Sequence, residues 1–115
     1  MPNQPDSVSS KTEPSREFVC VWRHRVASGR EAPFLEAYGQ GGKWVALFSK
    51  SPDFLGTELL QDQKQPEVFV TIDRWKSARA YRKFRTDFAA DYLALDTLLF
   101  ELTEDEELIA EGAAP

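Results

Sequence analysis

At 115 residues, with 42% hydrophobic and 29% charged side chains, the chain is sized for one domain with its own core and is too short for two. No apolar run approaches the roughly 20 residues that span a bilayer, and the single cysteine, Cys20, excludes an internal disulfide or a thiolate metal site. Net charge is −5, yet residues 101–115 hold six acids and no base, which leaves thirteen acids against fourteen bases before them.

Residues 1–15 are rich in proline, serine and other polar residues with no apolar periodicity, so they cannot offset the entropy of ordering and read as a flexible arm. They also lack the apolar middle of a secretory signal, which predicts a cytosolic, cytoplasmic protein. The domain proper is expected over residues 16–115. "EFVCVWRHRV" is a strand, rich in valine and aromatics, that ends at Ser28 and Gly29. Ser28 with Glu31 matches a capping box, and Phe34, Leu35 and Tyr38 then recur at helical spacing. Pro33 fits only a first turn, and "GQGG" at 39–42 must break or kink this helix before "KWVALFSK" resumes it. Tyr38, Trp44, Val45 and Phe48 are expected in the core.

"FLGTELLQD" and "EVFVTIDRW" form a hairpin around "QKQP", with Gly56 marking a bulge or a close approach. Ser77 caps the next helix, whose Ala78, Tyr81, Phe84 and Phe88 share one face while Arg79, Arg82, Lys83 and Arg85 lie off it. The apolar spacing continues through Tyr92, Leu95, Leu99 and Leu102. Thr103 with Glu106 then offers a cap for a short acidic terminal helix. No fourth strand is evident; "LIAEG" and "TLLFEL" both read better as helix.

The order β-α-β-β-α is most of a split βαβ, ferredoxin-like unit of the α+β class, built on an antiparallel sheet. In the third strand Val68, Val70 and Ile72 point one way, while Phe69, Thr71, Asp73 and Trp75 point the other. One layer of helices covers only one of these sets, so a homodimer that stacks sheet on sheet is expected to cover the second.

"FVCVWRHRVASGREAPFLEAYG", "KWVALFSKSPDFLGTELLQD" and "VFVTIDRWKSARAYRKFRTDF" together resemble the antibiotic biosynthesis monooxygenase domain, a branch of the dimeric α+β barrel superfamily. The most specific stretch runs from "SPDFLGTELL" through "TIDRWKSARAY". The resemblance implies a homodimer with a small pocket beside each sheet and a Trp at the end of strand three in that pocket, a position held here by Trp75. It also directs Tyr81, on the following helix, at the ligand. Haem-degrading relatives need an iron-ligating His on that helix, which here has none, and the Asn that cofactor-free oxygenases use with the Trp has no counterpart, since the only Asn is Asn3.

Two functions are therefore expected in alternative. One is a cofactor-independent monooxygenase acting on a small aromatic or quinone-like substrate in a pocket lined by Trp75, Tyr81, Phe84 and Thr71, with His24 or Asp73 as base and Trp75 at the reacting centre. His24 is the only side chain whose ordinary pKa suits proton abstraction near neutrality, and Arg23 and Arg25 beside it would favour its neutral form. The other is a non-catalytic dimer that holds a small apolar metabolite. Asp73 and Arg74 also have a plainer reading as partners in ion pairs. No metal or cofactor site is predicted, and no membrane or nucleic-acid partner: an RNA-recognition module of similar topology binds on its sheet, whereas the basic run here lies on a helix.

Overall fold

The computed structural model describes residues 16–115, so the arm expected over residues 1–15 lies outside it. In chain order the elements are β1 (Phe18–Val26), α1 (Glu31–Tyr38), α2 (Lys43–Phe48), β2 (Phe54–Gln61), β3 (Val68–Trp75), α3 (Ala78–Asp87), α4 (Ala89–Leu98), a turn of 3-10 helix (Phe100–Leu102) and β4 (Thr103–Ala113). The sheet order is β2-β3-β1-β4 with every neighbouring pair antiparallel. This completes the ferredoxin-like unit.

The last strand corrects the expectation of an acidic helical end. Thr103–Ala113 pairs with β1 along its length, and Thr103 is extended (φ −124°, ψ 148°) rather than a helix cap. Its glutamates favour helix, but eleven residues laid against the free edge of β1 gain a full ladder of hydrogen bonds, and that tertiary gain overrides a weak local preference. Ser28 is likewise not a cap: α1 begins after Arg30, with no side-chain hydrogen bond at its N-terminus. Val45 is only half-buried, and Leu47 takes the core position beside Trp44 and Phe48.

Two glycines act where expected. Gly56 has φ +145° at the register shift between Phe54 and Gly56, a bulge that only glycine accepts without strain. Gly42, between α1 and α2, lies so close to the end of α1 that a Cβ there would meet the Glu36 and Ala37 carbonyls at 2.5 Å. The chain can turn sharply at that point only because the side chain is missing.

Alternation then decides the two faces of the sheet. Phe18, Cys20, Trp22, His24 and Val26 of β1 align with Trp75, Asp73, Thr71, Phe69 of β3, and with Leu108 and Glu106 of β4, in rows across the sheet. The helices pack on this face, where Phe34, Tyr38, Trp44, Leu47, Phe48, Phe69, Trp75 and Phe84 form one core. The other face carries Val19, Val21, Val70 and Ile72, half-buried, and Leu60, more than half exposed, with no helix over it among the described residues. Arg79, Arg82 and Lys83 lie on the solvent side of α3. Among the described residues no helix is long and apolar enough to cross a membrane.

Ser77 caps α3 as its sequence predicts: it is extended (φ −161°, ψ 165°) and its Oγ accepts from the Ala80 N–H at 3.1 Å. Ser77→Ala should therefore cost about 1 kcal/mol, the usual worth of an N-cap, measured as a lower urea midpoint with an unchanged denaturant slope; an unchanged midpoint would mean that packing alone fixes the start of α3.

Candidate active site

Between the sheet and the helices lies a cavity of about 530 Å³. The sheet contributes Trp22 and His24 from β1, Thr57 from β2, Thr71 and Asp73 from β3, and Glu106 and Leu108 from β4. Tyr38, Trp44, Phe48, Arg85, Tyr92 and Asp96 close it from the helices. The walls are thus largely aromatic, and the polar groups converge on the middle of the sheet.

His24 is the centre of that polar set. It is 3% exposed, with Nδ1 2.7 Å from Glu106 Oε2 and Nε2 2.9 Å from Thr71 Oγ1. A carboxylate only accepts hydrogen bonds, so the neutral ring must carry its proton on Nδ1 and leave the Nε2 lone pair to accept from the Thr71 hydroxyl. Tyr38 donates from its hydroxyl to the same Glu106 oxygen at 3.1 Å, and its ring meets His24 edge-on at 5.0 Å between centroids. Burial, then the Glu106 charge, push the Tyr38 phenol well above its ordinary range, so it stays protonated as a donor.

The charges around His24 differ from those its sequence neighbours suggest. Arg23 and Arg25 alternate onto the opposite face, where Arg25 pairs with Glu67 at 2.7 Å, and the nearest charge to the ring is the Glu106 carboxylate. From sequence, Glu106 reads as the partner of Thr103 in a helix cap rather than as a site residue. Only the β1–β4 register, which sets His24 opposite Glu106, brings the two together.

Asp73 sits two rows along from His24, opposite Cys20, and is 8% exposed. Its Oδ1 accepts from the Thr57 hydroxyl at 2.8 Å, the one hydrogen bond of this carboxylate among the described residues. Burial pushes its carboxyl up from 3.8 to about 6, against the opposing pulls of the Thr57 hydrogen bond and of His24. Arg85, at the exposed edge, stacks its guanidinium 3.9 Å from the Tyr92 ring centroid and donates to the Tyr81 hydroxyl at 2.8 Å. It forms no ion pair among the described residues.

Of the residues singled out from sequence, the fold brings His24, Thr71 and Asp73 together on the cavity wall. Trp75, Tyr81 and Phe84 are placed elsewhere. Trp75 is fully buried, with the rings of Phe54, Phe48, Tyr81 and Phe84 packed around it at 4.9 to 5.5 Å, and it does not line the cavity. The reason is positional: β3 reaches the cavity at Thr71 and Asp73, and by Trp75 it has passed under α3, where Phe84 seals the space. The indole N–H of Trp75, like that of Trp44, is buried without a partner among the described residues. Burial pushes the thiol of Cys20, on the same sheet face, up to about 12. Among the described residues no group of His, Cys, Asp and Glu could hold a metal ion.

Comparison with known proteins follows the same lines. The profile of the antibiotic biosynthesis monooxygenase family matches residues 17–87. A point mutant of SnoaB, a cofactor-independent oxygenase from Streptomyces nogalater, superposes with a TM-score of 0.66 at 23% identity, over 83% of this chain and 92% of that one. A Nitrosomonas europaea protein named for antibiotic biosynthesis monooxygenases gives 0.69 at 14% identity over 89% and 93%. PA3566 from Pseudomonas aeruginosa gives 0.64 at 18% identity over 88% and 96%. Likeness at these identities establishes the fold. A search of curated protein sequences gives no match.

The raised Asp73 carboxyl has a consequence for stability. Its folded value, about 6, lies above the unfolded 3.8, so the native state holds the proton more tightly and the wild type loses stability as pH rises through that window. Asp73→Asn does not titrate. The stability of this variant relative to wild type should therefore grow between about pH 4 and pH 7, by at most about 3 kcal/mol at 1.36 kcal/mol per pKa unit; parallel denaturation profiles at the two pH values would contradict the burial of a free carboxylate.

Proposed function

Since the chain belongs to the antibiotic biosynthesis monooxygenase family, we propose that it oxygenates a small aromatic or quinone-like substrate in this cavity without a cofactor. The observation that carries the reading is His24, held between Glu106 and Thr71 on the cavity wall. Oxygenation of an electron-rich aromatic begins with removal of a proton, because the anion gives up electrons to dioxygen far more readily than the neutral molecule. His24 supplies the base. Its Nε2 lone pair faces Thr71 Oγ1, so a substrate hydroxyl that donates to Thr71 can pass its proton through that hydroxyl to His24, while Glu106 stabilises the imidazolium that forms. If the reacting carbon is a methylene, it loses two hydrogens as water and gains one oxygen as a carbonyl. Dioxygen is then the only oxidant required.

Asp73, 8% exposed, holds the substrate through its free oxygen, and Trp22, Trp44 and Tyr38 bound the ring. Trp75, Tyr81 and Phe84 back the site by packing, and Tyr81 reaches it through Arg85. The SnoaB likeness supports cofactor-free chemistry by analogy of fold. A second reading, a non-catalytic binding domain, draws on one observation: both ring nitrogens of His24 already have partners, as a structural histidine requires.

Aerobic oxygen uptake with hydroxylated anthracenones or naphthols, without added flavin or metal, separates the two. Under the catalytic reading both His24→Gln and Thr71→Val lower kcat by about a hundredfold or more, the usual worth of a positioned base, while ligand affinity changes little. Binding without turnover in the wild type would leave the non-catalytic reading.

The uncovered face of Val19, Val21, Val70, Ile72 and Leu60 supports pairing with a second copy, sheet against sheet. Sedimentation at micromolar concentration should give twice the chain mass, and Val70→Lys should shift it towards the monomer. A monomer in the wild type would remove the proposal.

A further inference from the structure

The lining of the cavity carries more acidic than basic side chains. Asp73, Asp96 and Glu106 face it, with Arg85 as its only Lys or Arg among the described residues. Glu106 is committed to His24 and Tyr38. Arg85 is committed to Tyr81 and the face of Tyr92. Neither Asp73 nor Asp96 forms an ion pair among the described residues. Asp73 is the informative one, because it is more than nine-tenths buried and, among the described residues, only the oxygen bonded to Thr57 has a partner. An ionised carboxylate can only accept, so whatever satisfies that oxygen must be a donor. A buried charge left unpaired is costly, so the best donor is one that also brings positive charge.

We propose that the cavity takes its ligand as a cation, an aromatic molecule bearing a protonated amine, with the ammonium on Asp73 and the ring against Trp22 and Trp44. Aromatic walls reinforce this choice, since the negative faces of Trp and Tyr attract a cation in a desolvated site. The same walls and carboxylates repel a carboxylate-bearing ligand, and Arg85, at the exposed edge, is held against Tyr81 and Tyr92. A neutral phenol satisfies the free oxygen but leaves the charge of the site uncompensated. An ammonium also offsets the negative charge that deprotonation by His24 would create on the ring. The inference rests on the cavity being the ligand site, as proposed above, and is independent of whether oxygen is consumed there.

Three naphthalenes of nearly equal shape test it on the full chain: naphthylmethylamine, naphthalenemethanol and naphthoate, titrated calorimetrically at neutral pH and low salt. The amine should bind at least about tenfold more tightly than either of the others, and its affinity should fall as salt is added, as a charge-steered contact requires. Asp73→Asn should weaken the amine about tenfold or more and weaken it by a larger factor than it weakens the alcohol. Equal or tighter binding of the alcohol or the naphthoate overturns the proposal, as does an amine affinity that Asp73→Asn leaves unchanged. Should that variant fail to fold, the charge series on the wild type decides alone. Oxygen uptake from a neutral phenol with no preference for amines would remove this inference and leave the monooxygenase reading; an amine preference without oxygen uptake would do the reverse.

Discussion

The pairing of β4 with β1 is the constraint on which the site depends. Without that strand β1 would be a sheet edge, His24 would face the solvent beside it, and the ring would have Thr71 but no carboxylate. With it, the register sets Glu106 opposite His24 and closes one side of the cavity with Leu108. The strand itself has little to bury: all but its first residue are exposed. Its order comes from the ladder to β1 and from side-chain contacts such as Glu106 with His24 and Tyr38. The least buried strand thus supplies the residue that fixes the tautomer of the most buried base.

The core and the site are continuous rather than separate. Phe34, Tyr38, Trp44 and Phe48 form one chain of ring contacts, from the stacked Phe34–Tyr38 pair at 4.4 Å to Trp44–Phe48 at 5.6 Å. Tyr38, Trp44 and Phe48 belong to the core and line the cavity as well. Large rigid rings leave a shaped space when they cannot interdigitate fully, and that space is where the polar rows of the sheet open. Low polarity then does two things. It strengthens each hydrogen bond to His24, and it raises the cost of the Asp73 charge, which has one hydroxyl to share it. A site built this way favours ligands that bring what Asp73 lacks.

Much of the fold was legible in the sequence because it rests on local pattern. The valine-rich strands, the Ser77 cap, the Gly56 bulge and the amphipathic face of α3 each carry a signal within a few residues. β4 was not legible. "TEDEELIAEGA" is rich in helix formers, is exposed along nearly its whole length and so has no alternation to read; its strand state is set by an edge eighty residues earlier in the chain. One non-local clue existed, since a β-α-β-β-α order lacks the strand that completes the unit. Site residues divide in the same way. Thr71 and Asp73 follow from the parity of β3, and His24 from that of β1. Glu106 needed the register, and Trp75 shows the limit of position along a strand: parity gives the face of the sheet but not how far along that face the cavity extends.

The tautomer of His24 tests the account most directly, because it depends on Glu106, Thr71 and the β4 register together. Nitrogen-15 NMR of the imidazole, at a pH where the ring is neutral, distinguishes the two forms. The account predicts a single slowly exchanging proton on Nδ1, with Nε2 as an acceptor, and loss of that preference in Glu106→Ala. A ring protonated on Nε2, or one averaging between forms as free histidine does, would contradict it.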